Sequence, residues 1–430
     1  MKINLFLRLF YRFLQGWVWV SYWVYFRRII FINKKNLKAK GPLLVLSNHP
    51  NTLMDPLMAV HRLHERVALL ANYSLFRNPI LGWILSTLYC IPIQRPKDVV
   101  GQTPKNDEAF KKCDDHLAAG GSIYIAAEGT SFIERHIREF KTGTARIAFS
   151  AESKHDFKLD LKVLLIGITY TNPLKFRGDA VVEIGELIDI DPWREAYEHD
   201  PRNAIQDLTQ HLEDEMKHLV IHCRDVEEDA FLLKVETILQ NKKQRNTEGA
   251  YRQGQILLTA LNDIEMSNPN KFTNFKKDIE SYYDKLNKLK INDLNITKFK
   301  IISIVTFILG LPIFIYGFIS NFLTVVVSEG MIKILKADFS YDTTIRYATG
   351  LFLSPLFWWL QTKLLYHFFQ MPFPWWVYIL TIVPTGLLAW HIYKLGIKIK
   401  DYFIFKQNDT QYGLSIQRQG LVNEIEDILR

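Results

Sequence analysis

The chain has 430 residues, with 48% hydrophobic side chains, 13% aromatic side chains and a formal net charge of +8. This length is enough for two or three domains with a full core. The three cysteines, Cys90, Cys113 and Cys223, are far apart, which excludes a disulfide framework and fits a reducing compartment. No nucleic-acid motif is visible, so the positive charge indicates attraction to anionic lipid.

An uncharged, mostly apolar and aromatic segment, residues 13–26, lies near the beginning of the chain. It is short for a membrane span, and its Trp and Tyr residues suit the membrane interface. No small-residue cleavage site follows it, so it is not a signal peptide. We expect an interfacial or half-inserted helix rather than a true span, within a membrane-associated region of residues 1–40. The lysines that follow either face anionic headgroups or belong to a solvated linker: Lys34, Lys35, Lys38 and Lys40.

Apolar, strand-like runs alternate with helical patterns over residues 41–190. Strands are predicted at residues 43–46, 67–70, 91–93, 123–126, 163–169 and 180–184. Helices are predicted between them at residues 56–64, 79–88, 106–118 and 145–152. This alternation indicates an α/β fold, with a mixed, mostly parallel sheet flanked by helices.

A histidine and an aspartate follow the first predicted strand of this region. His49 is suited to take a proton near neutral pH, and Asp55 is close enough in sequence to orient the imidazole and stabilise its charged form. The end of a strand is where a scaffold presents catalytic groups. Taken alone the pair is weak evidence, because a loop with an ordinary capping Asn or Asp contains the same residue types.

Four further segments carry polar motifs: IPIQR at 91–95, AAEGTS at 126–131, EFKTGTARIA at 139–148 and IGITYTNPLKFRGDAVVEIG at 166–185. With the His-Asp pair they resemble, in order and spacing, the four motif blocks of the glycerolipid acyltransferases, which acylate glycerol phosphate and lysophosphatidate. The resemblance covers roughly residues 40–190 and implies His49 as general base and Asp55 as its partner. The implied substrate-binding residues are Arg95, Glu128, Gly129 and Thr130, with Lys141 and Gly143 from the FK-x-G sequence at 140–143.

The chemistry of acyl transfer can be matched to these residue types. Moving an acyl group from a thioester to an alcohol needs a base, a site for the oxyanion and a grip on the acceptor. His49 supplies the base, and backbone N–H groups at a turn or helix start can bind the oxyanion. Arg95, Lys141 and the backbone at Gly129 offer phosphate-binding donors. Glu128 is unexpected in an anion site; it binds the acceptor's free hydroxyl, holds Arg95 in place or merely caps a turn.

Two departures from the common family pattern resemble the fungal-type branch that acylates glycerol 3-phosphate and dihydroxyacetone phosphate. Five residues, rather than four, separate His49 from Asp55. We therefore expect the turn at residues 50–52 to bulge, so that an Asp55 oxygen reaches within roughly 3.2 Å of a His49 ring nitrogen. In the third block Ser131 stands where the family has an arginine, and Arg135, Arg138 or Lys141 can substitute for it.

The resemblance thus implies an enzyme that moves a fatty acyl group from acyl-CoA or acyl-carrier protein to a hydroxyl of glycerol 3-phosphate or 1-acylglycerol 3-phosphate. It implies no cofactor and no metal. The alternatives are another lysolipid acceptor or a non-catalytic lipid-binding protein with the same fold. A serine-hydrolase elbow, a Walker loop and a dinucleotide fingerprint are missing from the sequence. The nearest metal-like spacing, His61 and His64, has no obvious third ligand and indicates a solvated face.

Two regions of different composition follow the predicted sheet. Residues 191–300 are highly charged and largely helical by pattern, which indicates an accessory helical region. Residues 301–394 are membrane-like, and residues 395–430 form a basic to polar tail. The membrane-like region has apolar runs at 301–327, 347–369 and 375–393, of which the middle one contains Lys363 and His367.

The charges beside these runs conflict with their number. Lys298 and Lys300 precede the first run, and Lys394 and Lys398 follow the last, so both ends are predicted to be cytoplasmic. This requires an even number of crossings, whereas three runs give an odd number. Either residues 347–369 are re-entrant or one charge pattern misleads. We expect an integral membrane protein that contacts membrane lipids, with its catalytic domain on the cytoplasmic face.

Overall fold

The computed structural model describes residues 5–63, 67–95, 99, 103–242, 246–296, 301–336, 338–370 and 374–430. It divides the chain into two compact units, Met1–Cys223 and Arg224–Arg430. The predicted domain boundaries at residues 190 and 300 do not coincide with this division, and the predicted domains stay a prediction. The physical reason for the first difference is the packing of the helices after residue 190, described below.

A seven-stranded sheet lies at the centre of the first unit, in the order β1-β7-β6-β2-β5-β3-β4. Its strands are β1 (Arg28–Ile32), β2 (Leu43–Ser47), β3 (Val67–Asn72), β4 (Cys90–Ile93), β5 (Ser122–Ala126), β6 (Lys162–Tyr170) and β7 (Asp179–Asp189). Neighbouring strands are parallel, apart from the antiparallel pair β6 and β7. The mostly parallel α/β sheet confirms the predicted fold class, and β1 is a strand that the sequence patterns did not predict.

Helices cover both faces of this sheet, which is why its central strands are continuous apolar runs rather than alternating ones. The helices are α1 (Leu5–Tyr25), α2 (Met54–Val60), α3 (Pro79–Thr87), α4 (Asp107–Ala118), α5 (Gly143–Lys154), α6 (Arg194–His199) and α7 (Pro201–His218). Leu44, Leu46 and Ile123 of the strands share one buried cluster with Cys113 of α4 and Phe149 of α5.

Helix α7 belongs to the first unit because its apolar face completes this core. Leu208, Leu212 and Met216, each four residues from the next, are buried in the same cluster as the strands. Helix α7, which lies in the predicted accessory region, therefore packs with the first unit. Asp200 starts the helix by accepting hydrogen bonds from the backbone N–H groups of Arg202 and Asn203.

The N-terminal helix α1 ends against the sheet. The Arg177 guanidinium donates to the carbonyl oxygens of Trp23, Val24 and Phe26, which have no intrahelical partner at a helix end. Within α1, three large aromatic side chains are 57–64% exposed, namely Phe13, Trp19 and Trp23. This distribution suits the expected interfacial helix, and its membrane contact stays a prediction.

The second unit combines a helical bundle with long apolar helices. The bundle contains α8 (Val226–Lys242), α9 (Thr247–Ser267), α10 (Pro269–Lys288) and α14 (Leu414–Ile428). Phe275, Ile279 and Tyr282 of α10 are fully buried, as is Ile425 of α14. The accessory helices of the second unit thus share their core with the C-terminal helix.

The apolar helices are α11 (Ile301–Leu335), α12 (Asp342–Phe369) and α13 (Trp375–Tyr412). Within the described residues, α11 and α13 are the two helices long and apolar enough to cross a membrane. Their most apolar windows are only 11% and 22% buried, unlike the core helices of a soluble protein. The predicted spans at 301–327 and 375–393 lie in these two helices, and the middle apolar run, 347–369, lies in α12. Lys298 and Lys300 are outside the described residues.

Candidate active site

The His-Asp pair lies at the carboxyl edge of the central strands. His49 follows β2 by two residues, and Ser47 at the end of β2 is level with Ala126 of β5. The loop after β2 therefore lies between the loops that follow β5 and β6, its two neighbours in the sheet. This edge is where parallel sheets place their ligands. The strand pattern alone thus brings His49 close to Glu128 and Tyr170.

His49 and Asp55 are in direct contact. The Nδ1 atom of His49 lies 3.0 Å from Oδ2 of Asp55, which is fully buried in the first turn of α2. The expected contact across the longer spacing is therefore present. Because an ionised carboxylate only accepts, Nδ1 carries the proton and Nε2 has the free lone pair. The imidazole is arranged as a general base with its partner behind it.

Asp55 is held by two donors besides His49. Its Oδ2 atom accepts the backbone N–H of Asn51 at 2.6 Å, and its Oδ1 atom accepts the hydroxyl of Tyr170 at 2.7 Å. Burial and the Asp55 charge raise the pKa of Tyr170 well above its usual value, so this hydroxyl remains a donor. Three donors thus satisfy this buried carboxylate and fix its orientation.

The loop between His49 and Asp55 accommodates its extra residue by a local bulge. Thr52 has a φ of 31°, in the left-handed region. Its backbone N–H donates to the hydroxyl of Ser131, and that hydroxyl donates to the carbonyl of His49 at 2.7 Å. Ser131, which stands where the acyltransferase pattern has an arginine, therefore holds the loop between His49 and Asp55. The sequence departure in the third block and the one between His49 and Asp55 meet in this contact.

Glu128 is a buried brace between two backbone segments. Its carboxylate oxygens accept the backbone N–H groups of His49 at 3.0 Å and Arg138 at 3.1 Å. Burial nevertheless raises the pKa of this carboxyl to about 7. Of the three roles considered from the sequence, binding the acceptor hydroxyl and holding Arg95 do not account for these two bonds, whereas capping of backbone N–H groups resembles them. Glu128 positions His49 through the backbone.

Basic side chains surround the turn that follows Glu128. Gly129 has a φ of +71°, which favours glycine. Its carbonyl oxygen accepts a hydrogen bond from the Arg95 guanidinium at 3.2 Å. The stem of Lys141 passes close to Gly129, since a Cβ at that glycine would lie 3.5 Å from Lys141 Cγ. Thr130 is the next residue of the same turn. Arg95 and Lys141 are thus brought together at this edge.

The N-terminus of α5 and Arg138 complete this basic region. Gly143 is the first residue of α5, where N–H groups lack intrahelical partners and the helix dipole favours anions. The Arg138 guanidinium stacks on the Phe132 ring at 4.6 Å. Its backbone also contacts Glu128, so it lies nearer the site than sequence distance indicates. Among the three substitutes considered for the missing arginine, Lys141 and Arg138 have these contacts with the Glu128 turn.

Tyr170 is the residue of this site that sequence reasoning missed. As the last residue of an apolar strand it has the pattern of an ordinary core residue. Its ring stacks with Phe26 at 5.9 Å, and Phe26 in turn contacts Tyr22 at the end of α1. The C-terminal end of α1 is therefore packed against the side chain that supports Asp55.

Other chemistries find little support among the described residues. Burial raises the pKa of the Cys90 thiol to about 11, which disfavours the thiolate needed for a covalent acyl-cysteine step. No group of metal-ligating residues occurs in the part of the chain that the structure describes. His61 packs against Tyr22, and His64 lies outside the described residues.

Part of the chain is similar to known acyltransferases. Residues 28–170 match the family model named Acyltransferase. Over 127 residues the chain is 32% identical to glycerol-3-phosphate O-acyltransferase 1 of Saccharomyces cerevisiae, covering 29% of this chain and 16% of that protein. It is 26% identical over 135 residues to a chloroplastic 1-acyl-sn-glycerol-3-phosphate acyltransferase of Arabidopsis thaliana, covering 30% of this chain and 35% of that protein.

These matches are confined to part of each protein. The chain spans about a sixth of the yeast relative and about a third of the plant one. Among solved structures, the 1-acyl-sn-glycerophosphate acyltransferase PlsC from Thermotoga maritima matches with a TM-score of 0.33 and 19% identity, covering 47% of this chain and 76% of that one.

Proposed function

Because residues 28–170 match the acyltransferase family model, we propose that this protein transfers a fatty acyl group from a thioester to a hydroxyl of glycerol 3-phosphate or 1-acylglycerol 3-phosphate. The observation that carries the proposal is the His49–Asp55 contact, which holds the ring at the strand edge through Nδ1 and leaves Nε2 on the other side of the ring. The acyl donor is acyl-CoA or acyl-carrier protein, and no metal or other cofactor takes part.

The reaction proceeds by direct transfer. Nε2 of His49 takes the proton of the acceptor hydroxyl, and the acceptor oxygen attacks the carbonyl carbon of the thioester. The carbon–sulfur bond then breaks, and the departing thiolate receives the proton from His49, so ester and thiol are the products. Asp55 stabilises the imidazolium that exists between the two proton transfers. Tyr170 and Glu128 hold this pair in position without touching substrate.

The acceptor phosphate binds to the basic residues beside Gly129. Arg95 can bind two phosphate oxygens at once, and Lys141 adds a second positive charge. The first backbone N–H groups of α5, at Gly143, are also suited to bind a phosphate. An acceptor phosphate at this turn would put its glycerol hydroxyl towards His49, because Glu128 connects the turn to the His49 backbone.

The protein acts at a membrane in this proposal. Two helices can cross a bilayer, and the positions after the apolar part of α13 carry Lys394, Lys398 and Lys400. Lysines at the end of a span favour the cytoplasmic side. The catalytic domain is therefore proposed to face the cytoplasm, where the acyl thioester is available.

A thioester-consumption assay with a panel of acceptors tests the proposal. The purified full-length chain is supplied with acyl-CoA and glycerol 3-phosphate, 1-acylglycerol 3-phosphate, a phosphate-free glycerol or a lysolipid with another headgroup. We expect turnover with a phosphomonoester acceptor and none with glycerol. Turnover with only the other lysolipid would identify that lysolipid as the acceptor in place of a phosphomonoester. No turnover with any acceptor would favour a non-catalytic lipid-binding protein. His61→Ala, which alters a neighbouring histidine outside the dyad, is the matched control for His49→Ala.

A further inference from the structure

Helices α11 and α13 lie side by side in opposite directions. Gly310 faces Ile392, and Gly317 lies against the backbone of Thr385, so residue numbers rise along one helix as they fall along the other. Small residues at such crossings allow the close backbone approach typical of helices in membranes. The beginning of α11 is therefore level with the later part of α13, and the end of α11 with the beginning of α13.

The segments that flank this pair are packed together. Asp293 precedes α11 and Arg418 follows α13, and they form a salt bridge of 2.8 Å in which Asp293 is fully buried. Asn295 also donates to Asp401 near the far end of α13, at 2.7 Å. Segments in such contact cannot lie on opposite sides of a bilayer. The chain between them must cross the membrane an even number of times.

Helix α12 begins beside the end of α11. Arg346 pairs with Glu329 at 2.7 Å, and Ser354 lies 3.2 Å from Thr324. If α12 continued antiparallel to α11, Phe369 at its end and Trp375 at the start of α13 would be at different levels along α11. The two levels would differ by about 27 Å, at a rise of 1.5 Å per residue. The six steps from Phe369 to Trp375 cover at most about 20 Å. Helix α12 must therefore be inclined to α11 rather than antiparallel to it.

Helix α12 has the opposite distribution of polar and apolar side chains from a surface helix of a soluble protein. Its buried residues are Thr343, Tyr347, Thr349, Ser354 and Thr362. An outer stripe at four-residue spacing is 44–69% exposed, comprising Phe352, Leu356, Leu360, Leu364 and Phe368. A helix with polar contacts inside and apolar side chains outside has lipid as its solvent.

Two charged or titratable side chains locate this helix near the membrane surface. Lys363 and His367 are exposed beside the apolar stripe. In the bilayer centre a lipid-facing lysine is strongly disfavoured, whereas near the headgroups its stem can reach the interface. Trp375 and Trp376, both more than half exposed, follow at the end of the connection and suit the same interface.

We propose that the chain crosses the membrane twice, through α11 and α13, and that α12 lies obliquely in the leaflet remote from Asp293 and Arg418. Its apolar stripe contacts the acyl chains of the lipids, and its polar face contacts α11 and α13. The proposal rests on the membrane insertion of α11 and α13 included in the proposed function. It is independent of acyl transfer, and its test measures no catalysis.

Cysteine labelling in sealed vesicles tests the number of crossings. The full-length chain, with Cys90, Cys113 and Cys223 replaced by alanine, receives one new cysteine: Tyr341→Cys, Pro374→Cys or Gln407→Cys, all at exposed positions. A membrane-impermeant maleimide is applied before and after the vesicles are opened with detergent. Phe339→Cys serves as a second probe of the α11–α12 connection if Tyr341→Cys does not assemble.

We expect positions 341 and 374 to be labelled from the same side and position 407 from the opposite side. Three crossings would put 341 and 407 together against 374, and labelling of all three from one side would mean no crossing; either result overturns the proposal. Spin labels at Phe352 and Leu364 test the inclination. Their depths differ by about 18 Å in a helix along the membrane normal, and we expect less than half that difference.

Discussion

Replacing Tyr170 by phenylalanine removes one buried hydrogen bond from the catalytic pair and little else. The hydroxyl donates to Asp55 at 2.7 Å, while the ring, which phenylalanine retains, stacks with Phe26. A hydrogen bond to a charged group contributes about 1.5–3 kcal/mol. If the transition state loses this amount, kcat falls between about tenfold and a hundredfold, at tenfold per 1.4 kcal/mol. We expect little change in either KM, since Tyr170 does not touch substrate.

Tyr124→Phe is the matched control. Tyr124 is also a buried tyrosine of the sheet, but its hydroxyl contacts Ser47 at 2.7 Å rather than Asp55. Both variants are assayed for thiol release and for Tm on the same preparation. We expect both to lose some stability and only Tyr170→Phe to lose kcat. Full kcat in Tyr170→Phe, or an equal loss in both variants, would refute the positioning role.

Four further outcomes follow from the described contacts. His49→Ala lowers turnover by about two to four orders of magnitude; a folded variant with more than about a third of wild-type turnover would exclude His49 as the base. Arg95→Lys raises the acceptor KM by about tenfold or more and leaves the thioester KM unchanged, because lysine cannot bind two phosphate oxygens at once; equal shifts would place the phosphate elsewhere. Burial raises the pKa of Glu128 from 4.5 to about 7, so the stability linked to its protonated form is present below pH 4.5 and lost as the pH rises to 7. Thermal melts of Glu128→Gln between these pH values should not show this loss, so the free energy of unfolding should change with pH by about 3 kcal/mol less than in the wild type. Parallel stability–pH curves for the two proteins would contradict this. Arg418→Ala leaves Asp293 as an unpaired buried charge and costs the second unit about 3–5 kcal/mol, seen as a lower Tm; an unchanged Tm would mean that the salt bridge is not needed to hold the flanking segments together.

The strand-end argument accounts for most of the site that the sequence could predict. His49 and Glu128 each lie two residues beyond a strand, and parallel neighbours put such residues at one edge. Tyr170 escaped this reasoning because a tyrosine at the end of an apolar run has the pattern of a core residue. Its contact with Asp55 joins residues 115 positions apart and exists only when β6 lies beside β2. The bonds from Glu128 to two backbone N–H groups leave no sequence signal either.

Strand β1 and helix α12 show two other limits of sequence patterns. The five residues of β1 follow an apolar helix directly, so they merge with it in composition, and their partner strand β7 is about 150 residues away. For α12, hydropathy describes how much lipid a helix contacts and not the direction in which it runs. The inclination that we propose for α12 rests on its short connection to α13, whereas the salt bridge between Asp293 and Arg418 bears on the number of crossings.

Product identification under single-turnover conditions tests the central claim most directly. The full-length chain, in excess over a labelled acyl thioester, is mixed with glycerol 3-phosphate or 1-acylglycerol 3-phosphate, and the acyl group is located by mass spectrometry. We predict that the label moves to a hydroxyl of the phosphate-bearing acceptor, with one thiol released for each ester formed. The His49→Ala variant, folded by its Tm, should form no ester on the same time scale. Thiol release without ester formation, or undiminished ester formation by His49→Ala, would contradict the account.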